Sequence, residues 1–555
     1  MRERRGSPGP GEPALSVRRA LGGRHLLLTG ASGFLGQVWL SLLLCEVPDV
    51  QLTVLLRRSG RRSAEERLRH MLLHSPALRP WRARHGAETL RAAARRVRVL
   101  QGDCAAPRCG LPPAEAAARL ADVDLVVHFA GSTDFMPDPR EALSANVRGA
   151  LHAAELASLA PGRRLLHVST AFVAGRRDGR IAERLLEGCG PSGAALEPWR
   201  ELDAFVRAAH LPGPPSQRTE AAMARAERLG WPNLYTYSKG LAEQLLASEP
   251  GLRLCVARPS IVECAWRFPF PGWNQGLNTS APLVALFCTP FRHFPSRPHN
   301  HFDVVPVDVV ARAMALLAAA HLRDEAPAVA HVASSDRNPL TFERGIELTN
   351  LSVRRMLRAS ERSALSRWLL SRLDVVPVDA AARPLGHPAD VARLAGRARR
   401  WLQSLDLRED LPPSVQRRWG ARLEAERSRA ARALRRAERD LSRIDQMLRQ
   451  YLPFIHDHDL VFETRALPAL SARLADEERE AFGFDVEALD WRHYWLRVQG
   501  PGLERWSLPL VRGESVPQDP APEAVREASL AAEPPARPIA EPGVGLGAAA
   551  AHAEE

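Results

Sequence analysis

Lysine is all but missing from this 555-residue chain: Lys239 is the single one, so 75 of its 76 Lys+Arg residues are arginine. Arginine, alanine and proline are plentiful beside it, the imprint of a GC-rich coding sequence that trades lysine for arginine wherever a site tolerates the swap. Tyrosine is nearly as scarce. Two of the four, Tyr235 and Tyr237, lie within the same five residues as Lys239. The seven cysteines are odd in number and scattered without paired metal spacing, which excludes a disulfide framework or a zinc ribbon and fits a reduced, cytoplasmic chain. No metal is expected. The N-terminal "MRERRGSPGPGEPALSVRRALGG" has charge but no apolar core, so it is not a secretory signal. No stretch approaches 18 uninterrupted apolar residues, so no membrane span is expected, while peripheral contact stays open. The net charge of +12 is almost wholly arginine and suits a protein that handles phosphates, whether of a cofactor, coenzyme A, lipid or nucleic acid. Charge alone does not choose among them.

With 45% hydrophobic and 25% charged residues, the chain can bury a large core. Residues 1–22 and 512–555 are rich in Pro, Gly, Ala and charge and are expected to be disordered. Between them, apolar runs of strand length ("RHLLLTG", "QLTVLLR", "RRVRVLQGD", "VDLVVHFAG", "RRLLHVSTAFVAG") alternate with helical patterns. That rhythm implies an α/β fold with a doubly wound parallel sheet over residues 23–345. Residues 176–230 interrupt it with a polar, largely helical insertion. From 346 to 511 the pattern is mostly helical, including the Arg/Glu-rich "VQRRWGARLEAERSRAARALRRAERDLSRIDQMLRQYL", read as a solvated helical face.

The first strand runs into "TGASGFLG", with Gly30, Gly33 and Gly36. A glycine turn that opens a helix lets the backbone meet a pyrophosphate at the helix N-terminus. Thr29, Gly30, Ser32, Gly33, Phe34, Leu35 and Gly36 are therefore the candidate phosphate-facing residues. The second strand ends in "TVLLRRSGRR". A carboxylate there would take ribose hydroxyls, whereas Arg57 and Arg58 fit a 2'-phosphate by charge and forked donors, so NADPH is the expected cofactor. Asp103, closing "VRVLQGD", either reads the adenine edge or serves as a turn and cap residue.

On a helix, Tyr235 and Lys239 share a face and Tyr237 points away. A phenol is a poor acid at neutral pH, and a nearby ammonium favours its ionised form. Lysine is a compact point charge that arginine's planar fork does not imitate. A hydroxyl at the end of the preceding strand, Ser169 or Thr170, should complete the group, since alternation lets only one face the cofactor.

TGxxGxxG, a strand ending in Ser/Thr and YxxxK together resemble the extended short-chain dehydrogenase/reductase superfamily, with its Rossmann sheet. Counting back from the glycine of "TAFVAG" in that pattern selects Thr170 beside Tyr235 and Lys239 as catalytic. Lys239 would also bind the cofactor, and Asn146 in "SANVRGA" would order the lysine side. More narrowly, "RPSIVECAWRFPFPGWNQGLN" (258–278), "VPVDVVARAM" and "FGFDVEALDWRHYWLRVQGPGLERW" (482–506) resemble segments of fatty acyl-CoA reductases. The resemblance implies a long-chain acyl-CoA substrate, NADPH and reduction through the aldehyde to a fatty alcohol. It also implies a helical C-terminal domain of the family's type. Glu263 and Cys264 stand where the family has small or uncharged residues, which puts pocket shape in question. Two further readings compete: a thioester reductase for carrier-protein-bound acyl groups, and a non-catalytic NADP-binding protein that docks through its Arg-rich helices. No nucleic-acid partner is expected.

Overall fold

The apolar runs assemble into one seven-stranded parallel sheet of β1 (His25–Thr29), β2 (Gln51–Leu56), β3 (Val97–Gln101), β4 (Leu125–His128), β5 (Arg164–Val168), β6 (Arg253–Pro259) and β7 (Val329–Val332). The order is β7-β6-β5-β4-β1-β2-β3. It reverses between β1 and β4, the place where open α/β sheets bind their ligands. This computed structural model describes residues 15–516 apart from 278–279, 360–362, 364–367, 369, 371, 383–386 and 406–412.

Strand alternation sorts the core into two layers. Leu26, Leu28, Val127 and Leu166 face one side, where they meet Trp39 and Leu43 of α1 (Phe34–Glu46) and an apolar helix further along the chain. Leu27, Val126 and Leu165 face the other, against Ala150 and Ala153 of α2 (Gly149–Leu159) and Ala242 and Leu246 of α3 (Leu234–Ala247). The apolar helix is α4 (Val307–Leu322), buried from Val307 to His321 between the sheet and the C-terminal segments. Each fully buried Leu contributes about 1.5–3 kcal/mol. The doubly wound sheet read from the sequence is therefore present.

The insertion folds as helices Pro198–Ala209 and Pro215–Leu229. Its Glu201 takes the Tyr237 hydroxyl at 2.6 Å and both donors of Arg225 at 2.8 and 2.6 Å, so Tyr237 does point away from the sheet. The helical C-terminal part contains α5 (Pro388–Ser404) and the long α6 (Pro413–Leu452). Beyond α6, Leu460–Phe462 pairs in parallel with Gly179–Ile181 of the insertion. One apolar cluster joins the sheet to Tyr494, Trp495 and Leu503, across residue 345. Among the described residues, no helix is long and apolar enough to cross a membrane.

Residues 15–22, part of the stretch expected to be disordered, are ordered. Leu15, Val17 and Leu21 are fully buried, and Val17–Leu21 is a helical turn capped by Ser16. The Glu478 carboxylate accepts from the Ser16 hydroxyl and the Val17 amide, each at 2.6 Å, and from the Arg18 amide at 3.4 Å. Three apolar side chains and one distant carboxylate outweigh a composition that argues for disorder. Residues 1–14 and the tail from 517 lie outside the described residues. Glu478→Ala leaves those donors buried without an acceptor and should lower stability by about 1–3 kcal/mol. Hydrogen exchange should show residues 15–22 losing protection ahead of the sheet; uniform protection would contradict this anchoring.

Candidate active site

The glycine loop leaves β1 and enters α1. Gly30 has φ +71°, and a Cβ there would stand 2.5 Å from the Ala130 nitrogen, so only glycine fits. A Cβ on Gly36 would stand 2.3 Å from the Gly30 carbonyl oxygen, which makes it the close helix–strand contact. Gly33 caps α1 without a side chain, so the amides of Phe34, Leu35 and Gly36 have no intrahelical acceptor and open beside Ser32. Such a cradle fits a dinucleotide pyrophosphate. Thr29 contributes differently from expectation: its hydroxyl turns into the sheet and bonds His128 Nδ1 at 2.7 Å.

Arg57 and Arg58 follow β2 and are exposed. Two further arginines join them that the sequence reading missed. Arg67 reaches the Arg57 carbonyl at 2.5 Å and the Ser32 hydroxyl at 3.5 Å. Arg62 and Arg67 line a cavity of about 500 Å³ with Ser32, Leu56, His70 and Trp273. The helical spacing of Arg67, His70 and His74 was the available signal. Asp103 is exposed, and one of its carboxylate oxygens caps the Ala105 amide at 3.0 Å, a turn role.

Thr170, Tyr235 and Lys239 converge at the C-terminal end of β5. Asn233 caps α3 through the Thr236 amide at 2.8 Å and so fixes the start of the Tyr235 turn. Burial pushes the Tyr235 phenol up to about 12, and the nearby Thr170 hydroxyl pulls the other way; that hydroxyl donates to the Pro259 carbonyl at 3.4 Å and accepts from the Phe172 amide at 3.3 Å. The expected lowering by Lys239 is absent: the groups that shift the phenol are its surroundings and Thr170, while the ammonium bonds the Val168 carbonyl at 2.9 Å. Of the two hydroxyls, that of Thr170 acts on the phenol, whereas the buried Ser169 hydroxyl has no partner among the described residues.

Lys239 is 4% exposed. Burial draws its ammonium down to about 8, and Glu243, one turn on, opposes that shift. Glu243 is itself clamped by Arg258 at 3.0 and 2.5 Å, both side chains being buried. Under Lys239, His128 and His167 stack at 5.3 Å, and burial, reinforced by the Lys239 charge, keeps both neutral. Asn146 is buried, accepts from the Ser132 amide at 2.8 Å and donates to Ser238 Oγ at 2.9 Å. A Cβ on Gly131 would meet Asn146 Oδ1 at 3.0 Å and Lys239 Nζ at 3.2 Å, so Asn146 and Lys239 flank one glycine.

Over Tyr235 stands an aromatic wall that the sequence reading did not find. Phe135 lies parallel to Tyr235 at 6.0 Å and meets Tyr451 at 5.2 Å and Phe454 at 5.9 Å. Phe172 meets Phe454 at 5.1 Å and Phe462 at 5.4 Å. Tyr451 ends α6, so the C-terminal part helps enclose the phenol.

Glu263 and Cys264 are buried anchors beneath the "FPFPGW" loop. Glu263 accepts from Ser280 Oγ at 2.6 Å and Gln499 Nε2 at 2.7 Å, and the Cys264 carbonyl accepts from Tyr494 OH at 2.6 Å. The loop's Trp266, Arg267 and Phe268 amides are held by Asp308 at 2.7, 2.8 and 3.1 Å. Gln275 bonds Gln37 at 2.9 Å, which brings the loop against the glycine turn.

A family model described as male sterility protein matches residues 28–314. Fatty acyl-CoA reductase 1 of Arabidopsis thaliana is 31% identical over 341 residues, 58% of this chain and 69% of that protein. The alcohol-forming fatty acyl-CoA reductase of Simmondsia chinensis is 28% identical over 342 residues, 59% of this chain and 69% of that one. Among solved structures, a reductase domain of a nonribosomal peptide synthetase from Mycobacterium tuberculosis aligns at 19% identity and a TM-score of 0.44, covering 91% of this chain and 94% of that one.

A charged lysine in this position weakens the apo fold. Its penalty is full below its folded pKa of about 8 and fades towards the ordinary value of 10.5. Lys239→Met should therefore raise the melting temperature of the cofactor-free protein at pH 7, with the gain shrinking above pH 8. A gain that grows with pH would contradict a buried ammonium.

Proposed function

This chain belongs to the fatty acyl-CoA reductase family, and from that membership we propose that it reduces a long-chain fatty acyl-CoA thioester with NADPH, through the aldehyde, to the fatty alcohol. The observation that carries the reading is the convergence of Thr170, Tyr235 and Lys239 beside the glycine cradle. The name of the Simmondsia relative supports alcohol as product. In this reading, residues 23–345 bind cofactor and thioester, and the helical unit 346–511 encloses the acyl side through Tyr451 and Phe454. A cytoplasmic setting is part of it and suits the free thiols.

The amides of Phe34, Leu35 and Gly36 with Ser32 would hold the pyrophosphate, and Arg57, Arg58, Arg62 and Arg67 would hold the 2'-phosphate. NADPH, when bound, supplies the hydride. Tyr235 donates to the oxyanion that develops on the thioester carbonyl, with Thr170 fixing the phenol's direction. Lys239 holds positive charge beside that proton transfer and, in this role, binds the ribose hydroxyls of the cofactor. Phe135 and Phe172 keep water from the reacting carbonyl. The hemithioacetal releases free thiol and aldehyde, and a second reduction of the aldehyde gives the alcohol.

Purified protein with NADPH and palmitoyl-CoA should oxidise the nicotinamide and yield hexadecanol. Lys239→Arg should cost about a hundredfold or more. In the wild type, kcat/KM should fall by about tenfold per pH unit as the Lys239 ammonium titrates near 8. No oxidation despite NADPH binding would turn the assignment towards a carrier-bound thioester or a non-catalytic binder. Arg67→Gln should raise KM for NADPH by about ten- to hundredfold and leave KM for NADH unchanged; an equal effect on both would remove the 2'-phosphate role.

A further inference from the structure

Charge is concentrated far from the cradle. Helices α5 and α6 carry fifteen arginines against six carboxylates, +9 of the chain's net +12. They lie against each other in antiparallel fashion: Arg399 pairs with Glu438 at 2.9 Å, and Arg427 reaches the Leu405 carbonyl at 2.7 Å. The inner face of α5 is Ala392, Ala395, Gly396 and Arg399. Its other side bears Leu394, 60% exposed, and Trp401, 62% exposed, seven residues on and so on the same stripe. Six of the eleven exposed large apolar side chains among the described residues fall between 368 and 423, about a tenth of the chain, and Trp368 is another of them.

Many arginines in this pair are neutralised locally, as Arg427 is by Glu424 and Arg449 by Asp445. Arg397, Arg400, Arg432, Arg435, Arg436 and Arg443 have no ion-pair partner among the described residues. On α6, 432, 436, 439 and 443 follow helical spacing on an exposed stripe about 16 Å long. The two pairings above set Trp401 level with Arg432–Arg436.

Unpaired arginines beside exposed Trp and Leu have a specific chemical match. Arginine is drawn to an anionic lipid surface, and tryptophan settles at the boundary of headgroups and acyl chains. A nucleic acid would use the charge but leave Leu394 without a role. The far end of α6 is Tyr451, packed on Phe135 over Tyr235. We propose that the α5–α6 pair is a docking surface for an anionic phospholipid bilayer, seating the aromatic wall of the active site near the membrane that holds long-chain acyl groups. The proposal rests on the acyl reductase reading only for that last purpose; the docking itself stands on charge and exposure.

The test is co-sedimentation of the full chain with vesicles of phosphatidylcholine alone and with added phosphatidylglycerol, at low and high salt. Binding to the anionic vesicles alone, weakened by salt, is expected. Arg432→Gln/Arg436→Gln should weaken partitioning about thirtyfold, and Leu394→Ser/Trp401→Ser should weaken it while blue-shifted tryptophan emission on vesicle addition is lost. Turnover of monomeric octanoyl-CoA should be unchanged in both variants, which certifies their folding. Absent turnover of both octanoyl-CoA and palmitoyl-CoA, with intact vesicle binding, would sink the reductase reading and spare the docking. Equal binding to neutral vesicles, no vesicle binding, binding indifferent to both pairs of substitutions, or retention only by single-stranded DNA would overturn the docking.

Discussion

Lys239 keeps a positive charge where water scarcely reaches, and the architecture around it is organised by that constraint. An ammonium taken out of water needs oxygen acceptors and nearby negative charge, or it loses its proton. The Val168 carbonyl provides the first and Glu243 the second. Glu243 is compensated in the core by Arg258, which binds both its oxygens and is itself tied to the Arg184 carbonyl at 3.0 Å. The histidines below respond in the opposite sense: burial keeps His128 and His167 neutral, and the Lys239 charge adds to that effect. An arginine at 239 would bring a wide planar fork to a spot where a Cβ on Gly131 would already stand 3.0 Å from Asn146 Oδ1 and 3.2 Å from the ammonium. This is a physical reason for one lysine to persist in a chain that otherwise uses arginine.

The enclosing aromatics set a second condition. A phenol buried among Phe135, Thr170 and α3 is held in its protonated form, ready to donate rather than to accept. The same burial makes the site dependent on what binds beside it, since in the proposed reaction the Tyr235 proton would move only when a negative charge develops within reach. Tuning of this site is therefore a property of the loaded cleft more than of the Tyr–Lys pair alone.

Much of this was legible along the chain. Strand alternation separates Leu26 and Leu28 from Leu27, and the two layers of the core follow from it. The glycine loop and the Tyr235–Lys239 spacing are local, so periodicity places them correctly. What stayed hidden was made by distant partners. Phe135 acquires its role from Tyr451 and Phe454, more than three hundred residues later, and Ser16 acquires its fold from Glu478. Glu263 looked like a change in pocket shape, yet its carboxylate is consumed by Ser280 and Gln499. The expectation that Lys239 lowers the Tyr235 phenol rested on helical spacing alone. Spacing tells which side chains share a face, but not which carbonyl captures the ammonium.

The parallel pairing of Gly179–Ile181 with Leu460–Phe462 has a consequence for the order in which the molecule is made. At roughly 5–20 residues per second, a ribosome needs on the order of half a minute to travel from the insertion to its partner strand. Until then the nascent chain already contains Tyr235, Lys239 and the glycine loop, but Phe135 and Phe172 lack Tyr451, Phe454 and Phe462 to cover them. The reductase half must wait with part of its apolar wall exposed, the kind of surface that makes folding intermediates prone to aggregate. A fragment ended near residue 345 would remain in that state permanently.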